Sequence, residues 1–369
     1  MEKVTLSHHG YQILQIETTA ACNMACTFCP YPLKEDKTTK LSFGHIKNII
    51  DQVNVKDENF KYITFSQFNE PLLDNRIFDI IEYAKKAGFK IKMVTNGLLL
   101  NKEKNVENII RLKPETLLIS LQVLDSNIHK EARGLNLDLE RYVKTIVDFC
   151  LKARNQDFNV QVDVGCNYNS KFSFYLKKML GVSTGDPAVP RDLKTTIAQM
   201  KKFMQMFYDI SDDIYKEKLK PLVDIKEIKK IFGKEYIYQS GFDIFRNVNI
   251  KIKPFFFGRR ISNFKPIGNN FSCTNELLGI LADGNIVPCC LAYNDEISLG
   301  KITDSSLHSI LNNNTFLSNL RKKGGQKHLA CRKCFGEPTH RGTLVKNLYF
   351  SLPLTVRNSK FFKFFTLSY

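Results

Sequence analysis

The chain has 369 residues, 43% of them hydrophobic, which is enough for one large domain and a smaller one. It contains no apolar run of about 18 residues, and Met1-Glu-Lys-Val-Thr lacks the basic-then-apolar order of a signal peptide, so it reads as cytoplasmic and spans no membrane. Its ten cysteines then point to metal thiolates rather than disulfides, and its +17 formal charge, scattered over lysines without an arginine-rich arm, argues against a nucleic-acid partner.

Taken in order, residues 11–17 read as a buried strand that feeds a cysteine-bearing loop. Residues 43–53 have helical apolar spacing, 61–66 are strand-like, and 67–72 follow as a loop. An amphipathic helix over 77–87 stops at Gly88, and the strand over 90–95 ends in the turn signal Asn96-Gly97. A fourth strand covers 115–122, a helix 139–154 and a fifth strand 158–165. Residues 171–247 are mostly helical in pattern, broken by a loop at 181–190, and 248–254 supply a sixth strand. Strands and helices alternate at βαβ spacing, which predicts an α/β fold with a parallel sheet and crossover helices. Beyond residue 260, strands at 278–281 and 285–288 flank the hairpin signal Asp283-Gly284, and a helix follows around 306–320.

The cysteines fall in two groups. Cys22-Asn-Met-Ala-Cys26-Thr-Phe-Cys29 places three thiols within eight residues, with no fourth cysteine nearby. Four thiolates complete an iron–sulfur cube, so three leave one iron open to a small molecule. A zinc knuckle needs a further Cys or His, for which His8, His9 and His45 are poorly placed, and a disulfide would strand one thiol. The second group is Cys273, Cys289, Cys290 and the pair Cys331-Arg-Lys-Cys334. Two cysteines flanking a hairpin and a late Cys-x2-Cys close around either zinc or a cube, and spacing does not separate the two.

The C-x3-C-x2-C run resembles the radical S-adenosylmethionine (SAM) enzymes. The resemblance implies a partial (β/α)6 TIM-like barrel over residues 1–260, with a helical insertion at about 171–247. It also implies a [4Fe–4S] cluster on Cys22, Cys26 and Cys29 whose open iron chelates SAM, and chemistry begun by a 5′-deoxyadenosyl radical. Asn69-Glu70-Pro71 resembles the Gly-Glu-Pro element that holds the SAM amino group, with Asn in place of the usual Gly. Thr95 and Asn96 would line the SAM pocket, and Ser120 and Gln122 lie where relatives contact its carboxylate and ribose. Arg133 either pairs with that carboxylate or is a solvent-facing arginine. C-x10-G-x4-C followed by C-x2-C is similar to the SPASM auxiliary-cluster domain, in its shortened Twitch form. This implies one auxiliary [4Fe–4S] cluster on Cys273, Cys289, Cys331 and Cys334 in a hairpin-and-helix domain over 261–345, with Cys290 spare.

An auxiliary cluster held by four thiolates has no open iron, so its natural use is electron transfer. The expectation is therefore an oxidoreductase or epimerase acting on a small molecule: a sugar, an aminocyclitol or a nucleotide sugar. A thiol, Cys166 at the end of the fifth strand or Cys290, would be the hydrogen donor in an epimerisation. A flavodoxin- or ferredoxin-type protein would supply electrons. The competing expectations are a maturase that modifies a peptide or protein and, more remotely, a metal-binding scaffold. The tail over 346–369 carries Arg357, Lys360 and Lys363 among phenylalanines. It would either pack on the barrel or make peripheral contact with an anionic membrane.

Overall fold

The computed structural model describes residues 3–165, 178–182, 193–210, 216, 241–253, 263–268, 271, 273, 275–294, 297–320, 322 and 328–352. In these, the strands are β1 (Ile13–Ile16), β2 (Tyr62–Thr64), β3 (Lys92–Thr95), β4 (Thr116–Gln122), β5 (Asn159–Gly165), β6 (Gly241–Phe245), β7 (Val248–Lys253), β8 (Leu277–Ile280), β9 (Asn285–Val287) and β10 (Gly300–Lys301). The helices are α1 (Phe43–Gln52), α2 (Ile77–Lys86), α3 (Glu103–Leu112), α4 (Ser126–Arg133), α5 (Leu139–Ala153), α6 (Leu193–Ile210), α7 (Leu307–Asn312), α8 (Thr315–Leu320), α9 (Leu329–Cys334) and α10 (His340–Ser351).

Two five-stranded sheets result, ordered β10-β9-β8-β1-β2 and β3-β4-β5-β7-β6. One parallel bridge, Ile63 to Ile91, joins β2 to the residue before β3 and so connects them. Neighbours β1–β2, β3–β4, β4–β5 and β5–β7 are all parallel, as βαβ crossovers demand. Among the described residues no pairing closes the ends into a ring, which matches the expected open barrel of six parallel strands.

One side of these strands is apolar. Leu14, Ile16, Ile63, Leu117, Ile119, Val160, Val162 and Ile250 are wholly buried and share one core with Ile49 of α1, Ile80 of α2, Ile109 of α3 and Ile146 of α5. Each such side chain contributes about 2–3 kcal/mol. Caps fix where helices begin: Ser42 accepts from His45 N, Asp125 from Asn127 N and Ile128 N, and Asp138 from Arg141 N.

The structure adds α3, α4 and β10 to the sequence reading, divides the helix read at 306–320 into α7 and α8, and departs from the reading in its sheet pairing. The stretch 171–247, read as mostly helical, ends in β6, antiparallel to β7. Its five residues are too few for a period to declare itself. The expected hairpin is present as β8–β9, with Gly284 left-handed at φ +85° in its turn. However, β8 also runs parallel beside β1, with Ile13 opposite Leu277 and Ile16 opposite Ile280. The hairpin that follows Cys273 thus extends the barrel sheet. Cys166, Asn167 and the tail from 353 onward lie outside the described residues.

Candidate active site

The loop after β1 carries the first cysteine group and is held from behind by α4. Ala25 N donates to Arg133 O at 3.1 Å and Thr27 N to Ala132 O at 2.8 Å, so carbonyls at the helix end bind the loop backbone. Gly134 makes this approach possible: its φ is +65°, and a Cβ there would sit 2.6 Å from Ala25 O. Tyr31 closes the loop, its hydroxyl donating to Cys22 O at 3.0 Å and its N–H to Cys29 Sγ at 3.4 Å.

The three thiols converge. Burial pushes Cys22 and Cys29 up to about 12 and raises Cys26, while the charges of neighbouring cysteines raise Cys22 and Cys29 further. Backbone hydrogen bonds from Met24 to Cys22 and from Tyr31 to Cys29 oppose this, as does Arg133, whose positive charge lowers all three. Thiols so disposed ionise only with added positive charge, which an iron cluster supplies. Arg133 is not solvent-facing: it is 2% exposed, donates from NH2 to Ser120 O at 2.9 Å and lies 5.9 Å from the Phe28 ring centroid. Its Nε is a buried donor without a hydrogen-bond partner.

Across the loop, Glu70 is 1% exposed and well satisfied. Oε1 accepts from Thr95 Oγ1 at 2.8 Å and Leu72 N at 3.1 Å, and Oε2 from Asn96 N at 2.7 Å. Burial outweighs these bonds and lifts its carboxyl to about 6. A carboxylate has about four acceptor positions, so one remains for a ligand ammonium. Asn69 takes the place of glycine without strain, since the non-glycine residues with positive φ among those described are Lys113 and Gln122. Its side chain instead braces the turn, Oδ1 accepting from Gln67 N at 2.9 Å and Nδ2 donating to Phe65 O at 3.2 Å. Asn96 Nδ2 donates to Asn23 Oδ1 at 2.7 Å, tying the end of β3 to the cysteine loop. At the end of β4 a bulge puts Gln122 at φ +68°, where Nε2 donates to Ser120 Oγ at 2.7 Å. Strained backbone of this kind gathers at binding sites.

The structure therefore brings together Cys22, Cys26, Cys29, Glu70, Thr95, Asn96, Ser120, Gln122 and Arg133 at one end of β1–β4. Sequence reasoning missed three supports. The Tyr142 hydroxyl donates to Asn96 O, His129 packs edge-on to Tyr142 at 5.7 Å, and Glu17 forms a buried 2.6 Å ion pair with Lys34. The signal for Glu17 was legible: a carboxylate at the end of a hydrophobic strand.

The second cysteine group also assembles. The thiol of Cys334 is raised by burial and by Cys289, Cys273, Cys290 and Cys331, and that of Cys331 by burial, Cys289 and Cys273, to about 12. Cys290 thus belongs to the same group of sulfurs. Helix α9 presents Cys331 and Cys334 three residues apart, and behind it Lys346 and Glu337 form a 2.8 Å ion pair, both nearly wholly buried. Among the described residues no three His, Cys, Asp or Glu side chains are arranged to hold a single metal ion.

Two family models match this chain, the radical SAM superfamily over residues 16–160 and an iron–sulfur cluster-binding domain, SPASM, over residues 273–335, together more than half its length. The chain thus carries a radical SAM domain followed by a C-terminal SPASM domain. These domains imply a SAM-binding [4Fe–4S] cluster, SAM and an auxiliary iron–sulfur cluster. A tungsten-containing aldehyde ferredoxin oxidoreductase cofactor-modifying protein of Pyrococcus furiosus is 30% identical over 111 residues, covering 30% of this chain and 31% of that one. The chain spans about a third of that relative. A cysteine-type anaerobic sulfatase-maturating enzyme of Clostridium perfringens is 23% identical over 339 residues, covering 86% of this chain and 84% of that one. The crystal structure of Streptococcus suis SuiB bound to S-adenosylmethionine is similar with a TM-score of 0.49 and 16% identity, covering 86% of this chain and 68% of that one. In addition, no helix among the described residues is long and apolar enough to cross a membrane.

Proposed function

We propose that the chain is a radical SAM oxidoreductase or epimerase that takes hydrogen from a carbon of a polar small molecule: a sugar, an aminocyclitol or a nucleotide sugar. Cys22, Cys26 and Cys29 hold the SAM-binding cluster, and Cys273, Cys289, Cys331 and Cys334 the auxiliary one. When bound, these groups and SAM supply a 5′-deoxyadenosyl radical and an acceptor for the electron released in an oxidation. Glu70 receives the SAM ammonium, with Thr95 and Asn96 fixing its oxygens. Arg133 offers its unpartnered Nε to the SAM carboxylate, and Ser120 and Gln122 face the ribose. Burial keeps the Cys290 thiol protonated and so able to give a hydrogen in an epimerisation, the role also proposed for Cys166. A flavodoxin- or ferredoxin-type donor supplies electrons.

The observation that carries the substrate class is the polar inner face of the sheet. Val160, Val162 and Val164 of β5 point into the helix-backed core, so Gln161 and Asp163 face the other way. Both are buried, and Gln161 Nε2 donates to Asp163 Oδ1 at 2.6 Å. Asn249 of β7 lies in register beside Gln161, its Oδ1 without a partner, and Lys251 lies beside Asp163. Such a wall suits hydroxyl and amino groups rather than an apolar ligand. The 339-residue similarity to a sulfatase-maturating enzyme favours a second reading, modification of a peptide or protein side chain. The test offers perdeuterated nucleotide sugars, aminocyclitols and peptides to the reconstituted protein and measures deuterium in 5′-deoxyadenosine. Transfer from a peptide alone would overturn the small-molecule reading.

A further inference from the structure

The two cysteine sites are joined in the fold, because the loop that carries Glu70 is fastened to the loop that carries Cys289. Gln67 makes the attachment. Its Nε2 donates to Ala292 O at 3.1 Å and reaches Cys289 O at 3.5 Å, while its backbone N–H is held by Asn69 Oδ1. The side chain fits because β8 has a glycine beneath it: a Cβ on Gly279 would overlap Gln67 Oε1 and come within 2.7 Å of Val287 Cγ2. That Oε1 is buried and unpartnered, so the amide is oriented by its donor side alone.

Two neighbouring contacts run the same way. Phe68 packs edge-on to Tyr293 with ring centroids 6.1 Å apart. Glu17 accepts from Phe68 N at 3.0 Å and from Ala282 N at 3.3 Å, and holds Lys34 of the first cysteine loop. Residues 67–70 are thus set by two backbone carbonyls from one of the proposed auxiliary ligand loops. Glu70 N itself donates to Ala21 O, next to Cys22.

We propose that Gln67 is a positioning residue that couples the auxiliary cluster to SAM binding: the 289–292 turn fixes the 67–70 loop through its amide, and the carboxylate of Glu70 follows. The coupling rests on the cluster and Glu70 assignments made above. Being a binding free energy shared by two sites, it acts in both directions. SAM binding must therefore register at the auxiliary cluster, and disturbance of the Cys289 loop must register in SAM affinity.

The test uses the full chain with both clusters reconstituted and counted by iron and sulfide. SAM affinity is measured by equilibrium dialysis, and the auxiliary cluster by its electron paramagnetic resonance signal with and without SAM. Gln67→Leu should keep both clusters and raise the SAM Kd about 3- to 10-fold, the size of one lost neutral hydrogen bond. SAM should alter the auxiliary signal in the wild type and leave it unaltered in the variant, a readout that mere loosening of the fold would not erase. Gly279→Ala perturbs the same contact from β8 and should weaken SAM binding in the same direction. Loss of SAM binding in neither Cys22→Ala nor Glu70→Gln would overturn the site assignment itself. With that assignment intact, an unchanged Kd in both Gln67→Leu and Gly279→Ala, or an auxiliary signal indifferent to SAM in the wild type, would overturn the coupling.

Discussion

Gly134→Ala tests whether α4 positions the first cysteine loop. The backbone there sits at φ +65°, a region that costs an alanine about 1–2 kcal/mol. The added Cβ would also lie 2.6 Å from Ala25 O and 2.9 Å from Ala25 Cβ, closer than real contacts allow. The loop must retreat, breaking the bonds from Ala25 N and Thr27 N to Arg133 O and Ala132 O, worth about 1 kcal/mol each. The total is about 3–4 kcal/mol, concentrated on the residue preceding Cys26. Gly88→Ala is the control, because it shares a left-handed φ of +91° but places its Cβ 3.3 Å from Val55 Cγ2, far from either cysteine group. Reconstituted Gly134→Ala should lose close to half its iron, with the auxiliary signal intact, whereas Gly88→Ala should lose thermal stability only. Full iron content with wild-type SAM affinity in Gly134→Ala would refute the positioning argument.

Cys26→Ala should abolish SAM cleavage while leaving the auxiliary iron in place, as seen by 5′-deoxyadenosine release and metal counts; retained cleavage would remove it as a ligand. Glu70 gives a pH dependence of definite sign. Its carboxyl titrates near 6 in the fold against 4.5 unperturbed, so the ligand-free fold loses stability as pH rises from 4.5 to 6. The SAM ammonium needs the ionised form, so SAM affinity should fall as pH drops through about 6, and Glu70→Gln should flatten that profile in equilibrium binding. Lys346→Met leaves the Glu337 carboxylate, 1% exposed, without its counter-charge. Unfolding free energy by denaturant titration should drop by about 3–5 kcal/mol, and a change below 1 kcal/mol would show that other groups neutralise Glu337.

Much of the barrel was legible because its signals are local. Residues 11–17, 61–66, 90–95 and 115–122 each contain an observed strand, since a buried parallel strand is a short apolar run between turn residues. The spacing of Cys22, Cys26 and Cys29 was equally plain, being four and three residues along one loop. What escaped was pairing at a distance. Nothing in Leu277–Ile280 announces Ile13–Ile16 as its neighbour, because strand partners are chosen by tertiary packing. Helix α4 was missed because its apolar residues are few and its purpose lies in two terminal carbonyls. Gln67 and Tyr142 carry no motif, and their roles exist only in the folded chain.

The partnership of β1 with β8 has a consequence for how the chain comes together during synthesis. Residue 13 finds its neighbour at residue 277, so one margin of the first strand stays open until most of the polypeptide has emerged. Contacts closed over so long an interval form slowly, and an open strand margin invites pairing with other chains. A nascent chain halted before Leu277 would present that margin to solvent, and aggregation rather than metal loading would decide its fate.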